Sequence, residues 1–238
     1  MVRQSARFAE CLDKRGRRRP ASAGSRRVSG AFIVVEGGEA SGKSTLIRHL
    51  LAHFQAHGRA AIGTREPGGS AGAEAIRRLF LADGDGAGVW SAHEAVALLS
   101  AARANHLRVT IEPAIAAGAI VLCDRFYLST MIYQSVLGGA ARDYVEAMHQ
   151  WVCGGRQPDL TLLLDLAPEA AMARLRLRGH ENRFDRMDLA AHARVRAAFL
   201  DFAAQSEGRM KRLDASEAPE QVAAAALAEL AAFGLAPT

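Results

Sequence analysis

From residue 31 onward, short apolar runs alternate with longer stretches whose apolar residues recur at helical spacing. The runs Phe32–Glu36, Ala60–Thr64, Ala119–Cys123, Leu160–Asp165 and Met210–Asp214 are short and mostly aliphatic, and they predict strands. The stretches between and after them predict helices over Lys43–His57, Ala71–Leu81, Ala92–Ala117, Ser129–Val136, Arg142–Val152, Pro168–Arg178, Leu189–Glu207 and Pro219–Ala232. Five short strands alternating with helices predict an α/β fold, a parallel sheet with helices on both faces. Ligands of such sheets bind beyond the carboxyl ends of the strands. The segment Gly179–Asp188 is polar and charged and lies between two helices, so it reads as a mobile cover and not as core.

Composition adds one domain-sized core and one odd extension. The chain has 238 residues, half of them apolar, which is enough for a single α/β domain. Of its 30 basic and 25 acidic residues, nine and two fall within residues 1–30, leaving 21 and 23 for the rest. The net charge of +5 therefore belongs to the tail, and the body is not a basic nucleic-acid binder. Residues 1–29, which include Arg15, Arg17, Arg18 and Arg19, are expected to form a disordered basic extension ahead of one domain over 30–238. The tail is Arg-rich and contains serines, as targeting peptides are, but it also holds Glu10 and Asp13 and lacks a clear cleavage signal. The expected reading is an idle extension or a start codon assigned too early, and any contact with nucleic acid would come from this tail alone. No apolar run approaches the ~20 residues of a membrane span. Cys11, Cys123 and Cys153 stand far apart without metal-site spacing, which points to reduced thiols and a cytoplasmic protein. Cys123 ends an apolar run and is expected to be a small buried hydrophobe.

Chemistry is concentrated after the first strand. Phe32–Glu36 empties into Gly37-Gly38-Glu39-Ala40-Ser41-Gly42-Lys43-Ser44-Thr45, and a helix follows. This is the phosphate-cradling pattern G-x-x-x-x-G-K-[ST] in the strand-to-helix context it requires. The glycines let backbone N–H groups turn toward an anion, and the helix start adds unpaired N–H groups and a partial positive charge. Residues Gly37–Thr45 are thus expected to bind ATP, with Lys43 reaching the β and γ phosphates and the Ser44 hydroxyl on Mg²⁺. Lysine is scarce, since only Lys14, Lys43 and Lys211 occur against 27 arginines. Its presence at Lys43 suits a cradle that needs a compact ammonium.

Other strand ends carry further candidates. The second strand runs into Thr64-Arg65-Glu66-Pro67-Gly68-Gly69, where Arg65 can fork onto a phosphate and the following Pro and glycines fix a tight turn. Arg77 lies on the next helix. The third strand ends in Asp124-Arg125; an acid there faces Mg²⁺ and its waters in P-loop enzymes, and Arg125 would meet phosphate. Singly, each arginine reads as a surface residue; gathered at one sheet edge, they read as a site.

Together these segments resemble the thymidylate kinase family, P-loop enzymes that phosphorylate dTMP with ATP. The resemblance rests on Glu36–Thr45, Thr64–Gly69, Ala73-Glu74-Ala75-Ile76-Arg77, Ala101-Ala102-Arg103, Asp124-Arg125-Phe126 with Ser129-Thr130 and Tyr133-Gln134, Arg156–Thr161 and Arg178–Asp185, in the family's order over about residues 31–233. It implies the three-layer P-loop fold, a homodimer, Mg²⁺ with ATP as co-substrate, and a lid at about 178–188. It further implies that Arg65, Arg77 and Arg125 hold the dTMP phosphate and sugar. Arg103 and Gln134 would reach the pyrimidine edge, with Thr130 beside them. Tyr133 would lie under the deoxyribose, Glu39 near the 3′-hydroxyl or metal shell, and Glu66 would orient the acceptor side. Asp124 would join Ser44 at the metal. The loop position after Glu39 is Ala40, so the chain resembles the subclass whose catalytic arginines come from the lid. Arg178 and Arg183 are the expected lid residues, acting with Lys43 and Arg125, while Arg174 reads as a solvated neighbour one helical turn away.

One position departs from the family. A phenylalanine commonly stands four residues before the base-reading arginine; here it is Leu99, followed by Ser100. Leu99 covers a ring without π stacking, a difference of ~1 kcal/mol. Thymine differs from uracil by one methyl group, worth only about 10–200-fold in an apolar pocket. The alternatives to dTMP phosphorylation are therefore a pyrimidine monophosphate kinase of altered base preference, or a non-catalytic nucleotide-binding relative. Deleting residues 1–28 is expected to leave turnover intact; a large loss of kcat in that truncation would give the extension a role.

Overall fold

The structure, a computed structural model, describes residues 30–82, 90–178 and 183–235, the side chains of Arg178 and Arg183 excepted. The basic extension and the centre of the expected lid lie outside the described residues. Five strands form one parallel sheet: β1 (Ala31–Gly37), β2 (Ala61–Arg65), β3 (Ile120–Asp124), β4 (Leu160–Asp165) and β5 (Met210–Asp214), in the order β2-β3-β1-β4-β5. The α/β class and all five predicted strands are present, their ends within a residue or two of those expected.

All seven residues of β1 and all six of β4 are buried, as strands covered on both faces must be. Alternation along β1 divides them between two cores. Ile33 and Val35 face Leu46, Leu50 and Phe54 of α1 (Lys43–Ala56). Phe32 and Val34 face the opposite layer, with Val121 and Cys123 of β3 and Leu107 and Ile111 beyond α3 (Ala92–His106). Cys123 is indeed fully buried, its Sγ within 3.1 Å of the Arg125 carbonyl, and burial pushes its thiol pKa well up.

Two predicted helices are not continuous α-helix. After α3 the chain widens into π turns over Leu107–Ile111 and resumes as α4 (Glu112–Ala116). Pro113 lies in the first turn of α4, where its missing N–H interrupts the ladder. The Ser129–Val136 pattern is a single turn α5 (Tyr127–Thr130) followed by π turns over Met131–Leu137. The remaining helices are α2 (Ala71–Leu81), α6 (Arg142–Cys153), α7 (Pro168–Arg178), α8 (Leu189–Ala204) and α9 (Pro219–Leu230). A 3₁₀ turn, Arg183–Arg186, lies within the expected lid.

Helix starts differ in a way that matters for ligands. Ser91 caps α3 with a reciprocal box, Glu94 N–H donating to its hydroxyl and Glu94 accepting from the Ser91 N–H at 2.7 Å. Asp188 caps α8 through Ala191 N–H. The start of α1 has no side-chain cap, and its N-cap Gly42 is left-handed at φ 95°. Its first-turn N–H groups are open to an anion.

Candidate functional site

The loop from Gly37 to Thr45 wraps the open start of α1. Ala40 takes a left-handed φ of 52°, uncommon for a residue with a side chain. Lys43 is buried and folds back over the loop, donating to the Gly38 carbonyl at 2.8 Å and the Gly37 carbonyl at 3.2 Å. Burial, and then the nearby Arg125 charge, depress its pKa. Ser44 Oγ lies 3.0 Å from Asp124 Oδ2, so a loop hydroxyl and the strand-end acid meet at the cleft.

Arg125 stands at the seam of β1 and β3. Its backbone is left-handed, φ 68°, with its N–H bonded to the Val35 carbonyl. The guanidinium donates to Glu39 Oε1 at 2.7 Å, to Ser129 Oγ at 3.1 Å and to the Gly37 carbonyl at 3.2 Å, and it lies over the Tyr133 ring. Tyr133 O–H donates to the same Glu39 oxygen at 3.1 Å. Burial opposes both charges of the pair. The Glu39 carboxylate nonetheless raises the Arg125 pKa well above its usual value, while Arg125 and Lys43 hold Glu39 below its own. Burial raises the Tyr133 hydroxyl far above its usual range, so it remains a neutral donor.

Beneath this seam lies a carboxylate that the sequence reading left out of the site. Glu36 is fully buried and accepts from Phe126 N–H at 2.9 Å, Ser129 N–H at 3.2 Å and Ser129 O–H at 2.7 Å. It anchors the chain just after Arg125, and its burial raises its pKa. An acid inside an otherwise apolar strand was the available signal.

Two cavities adjoin here. The larger and more polar one is lined by Glu39–Leu46 with Arg65, Asp124 and Arg174. The second is mostly apolar and is lined by Phe80, Leu99, Arg103, Thr130, Tyr133 and Gln134, among others. Glu39, Glu66, Arg77 and Arg125 line both. In the apolar cavity Arg103 is almost fully buried: Nε donates to Glu66 at 2.7 Å, Nη2 donates to Thr130 at 2.8 Å, and the group lies over Phe126.

A model of the family described as Thymidylate kinase matches residues 35–226. A thymidylate kinase of Cereibacter sphaeroides is 46% identical over 211 residues, covering 87% of this chain and 96% of that protein. Those of Ruegeria pomeroyi and Caulobacter vibrioides are each 45% identical, over 82% and 83% of this chain and 92% and 94% of their own lengths. The chain belongs to the thymidylate kinase family.

The structure brings together nearly every residue that the resemblance to thymidylate kinase singled out. Lys43, Arg65 and Arg125 share one cleft. Arg65 is half exposed and rests on Glu74 at 3.2 Å, while Arg77 donates to the Pro67 carbonyl at 2.7 Å. Burial, then the charge of Arg65, lowers the Arg77 pKa. Arg178 and Arg183 lie at the edge of the described residues, without described side chains. Arg174 is not a solvated neighbour: it donates to the Ala215 carbonyl at 2.9 Å and the Ala40 carbonyl at 3.4 Å, bridging the loop and the end of β5. Phe184 is a second residue that sequence reasoning missed. It lines the apolar cavity, edge-on to Tyr133 at 5.2 Å and 6.3 Å from Phe80, and packs with Leu99. The turn Arg183–Arg186 thus supplies an aromatic wall beside Leu99.

The Arg125–Glu39 pair has a pH signature. The folded-state pKa of Glu39 lies below its ordinary value of 4.5, so its ionisation stabilises the fold above that pH and ceases to as pH falls through the depressed value. The difference in Tm between the wild type and Glu39→Gln is expected to be greatest near neutrality and to shrink as pH drops below 4.5. A gap unchanged between neutral and acidic pH would show that the pair contributes nothing through its charge.

Proposed function

We propose that the chain transfers the γ-phosphoryl group of ATP to the phosphate of dTMP, with the donor in the polar cleft and the acceptor in the apolar cavity. The observation that carries this reading is the shared wall: Glu39, Glu66, Arg77 and Arg125 border both spaces. Nucleotides entering from the two sides meet phosphate to phosphate at that wall.

In this reading the bond from the γ phosphorus to the β–γ bridging oxygen breaks as a dTMP phosphate oxygen bonds to the same phosphorus. The acceptor is already ionised, so no strong base is needed, and catalysis consists of positioning and charge stabilisation. Lys43 leaves its carbonyl partners for the donor phosphates. Arg65, Arg77 and Arg125 hold the acceptor phosphate, and Arg178 and Arg183 close over the donor from the lid. Arg103 and Gln134 read the pyrimidine edge, Thr130 orients Arg103, Leu99 covers the ring, and Tyr133 underlies the sugar with Glu39 near its 3′-hydroxyl. The Ser44 hydroxyl and Asp124 carboxylate are the hard oxygen donors that Mg²⁺ takes. Ser44 Oγ and Asp124 Oδ2 lie 3.0 Å apart, near enough to serve one ion that takes its remaining oxygens from phosphate and water. When bound there, Mg²⁺ neutralises charge between the donor phosphates.

The domain over 30–238, with its lid, is read as the whole catalytic unit and as one half of a homodimer. Support for association is the face around α6, where Trp151 is 87% exposed and its neighbour Val152 borders a groove with Ala101, Ala104 and Leu107. Large exposed apolar side chains of this kind mark protein contacts. The Trp151→Glu variant is expected to run as a monomer in light scattering where the wild type runs as a dimer; a monomeric wild type would remove this part of the reading.

ADP release with dTMP, dUMP, dCMP and UMP as acceptors tests the activity. Highest kcat/KM is expected with dTMP. Lys43→Ala is expected to lose nearly all transfer while keeping its fold by circular dichroism. Arg183→Ala is expected to lower kcat by about 10³-fold with little change in the KM for dTMP. Preferred turnover of another monophosphate, or near-normal kcat in Arg183→Ala, would overturn the corresponding assignment.

A further inference from the structure

His106 has no role in the chemistry described so far, yet it is completely buried within the site's framework. It lies three residues after Arg103, on the same face of α3. Its Nδ1 is 3.2 Å from Glu66 Oε1, and its Nε2 is 2.7 Å from Thr64 Oγ1. The other Glu66 oxygen accepts from Arg103 Nε, and Arg103 reaches on to Thr130. One chain of hydrogen bonds therefore runs Thr64–His106–Glu66–Arg103–Thr130, from the end of β2 through α3 to α5.

We propose that His106 is a positioning residue for the acceptor nucleobase: its imidazole fixes the Glu66 carboxylate, which in turn fixes the guanidinium of Arg103. This rests on the reading above that Arg103 addresses the pyrimidine.

The ring's geometry explains why a histidine stands there. A carboxylate at Glu66 accepts, so Nδ1–H is the donor to it, and Nε2 is left to pair with the Thr64 hydroxyl. The two nitrogens of a rigid ring face opposite ways, and here they tie Glu66 to the strand two residues before it. The following loop is shaped around the ring. Gly69 has φ 80°, and a Cβ at that position would lie 2.3 Å from His106 Nε2 and 2.3 Å from Thr64 Oγ1. Thr110, farther along the same helical segment, donates to the Gly69 carbonyl at 2.8 Å. The end of α3 and the π turns after it thus grip the Glu66–Gly69 loop at two points, and His106 is the one that touches the carboxylate paired with Arg103. A group that holds Arg103 from behind acts chiefly on acceptor binding, because Arg103 lines the apolar cavity and is not among the residues of the polar cleft.

Two amide substitutions separate this role from simple packing. Asparagine places an N–H close to the position of Nδ1 and keeps the donor to Glu66. Glutamine reaches the position of Nε2 and abandons it. The His106→Gln variant is expected to raise the KM for dTMP about 10-fold or more, the cost of leaving a buried acceptor unpaired, with the KM for ATP unchanged. His106→Asn is expected to recover most of that loss. In a Glu66→Gln background, His106→Gln is expected to add little, because the link is already broken. Thr64→Val, which frees Nε2 on a partly exposed residue, gives a smaller rise in the same KM and decides the matter if both His106 variants fail to fold. Equal effects of Asn and Gln, parallel changes in both KM values, or an unchanged KM for dTMP in Thr64→Val would each overturn the proposal. Arg103→Ala serves as the reference: if it leaves the KM for dTMP unchanged, the assignment of Arg103 fails, independently of His106.

Discussion

The contact on which the rest of the site depends is the 2.7 Å pair between Arg125 and Glu39. It joins the phosphate loop after β1 to the end of β3, and it stands where the two cavities meet. Burying two charges is tolerated only when their geometry and remaining hydrogen bonds are satisfied. Here the Tyr133 hydroxyl, the Ser129 hydroxyl and the Gly37 carbonyl complete the shell. Glu36, beneath, fixes the residues that follow Arg125, so the left-handed backbone at that position is held from both ends.

The pair also manages repulsion. Lys43, Arg77 and Arg125 are close enough that Arg125 lowers the proton affinity of the other two, on top of burial. Carbonyls of the loop and of Pro67, together with Glu39, keep these cations partnered. In the proposed reaction an entering phosphate would relieve the repulsion and take over from those partners, as a pre-formed anion site does. The uncapped start of α1 acts in the same direction, since its N–H groups are already turned toward the cleft.

The apolar cavity follows a different rule. Its walls come from several separate elements, and its polar groups are held by one another: Arg103 by Glu66 and Thr130, and Glu66 by His106. Such a network is worth having only if every member is satisfied. Leu99 covers the cavity without an aromatic face, and Phe184 of the lid segment brings a ring to the same place. The 3₁₀ turn Arg183–Arg186 thus contributes an aromatic side chain to the wall of the apolar cavity.

The strand runs, the phosphate loop and the strand-end residues Arg65, Asp124 and Arg125 were readable because each is a local signal. A buried parallel strand must be a continuous apolar run, and a phosphate cradle needs glycines and a lysine at fixed spacing. The π turns at Leu107 and Met131 were not readable, since their apolar spacing is that of a helix over so short a span. The roles of Glu36, His106, Arg174 and Phe184 were equally hidden. The acid in an apolar strand marked Glu36 as unusual without naming its partners, while a histidine on a helix, one arginine among many and a phenylalanine in a polar segment carry no local signal at all. What the sequence alone determined was the order of elements and the anion-binding loop, because those depend on neighbours a few residues apart. Only the tertiary structure decided how the distant polar groups pair, since partners such as Arg103 and Thr130 or Arg174 and Ala40 lie 27 and 134 residues apart and meet only once the elements are packed together.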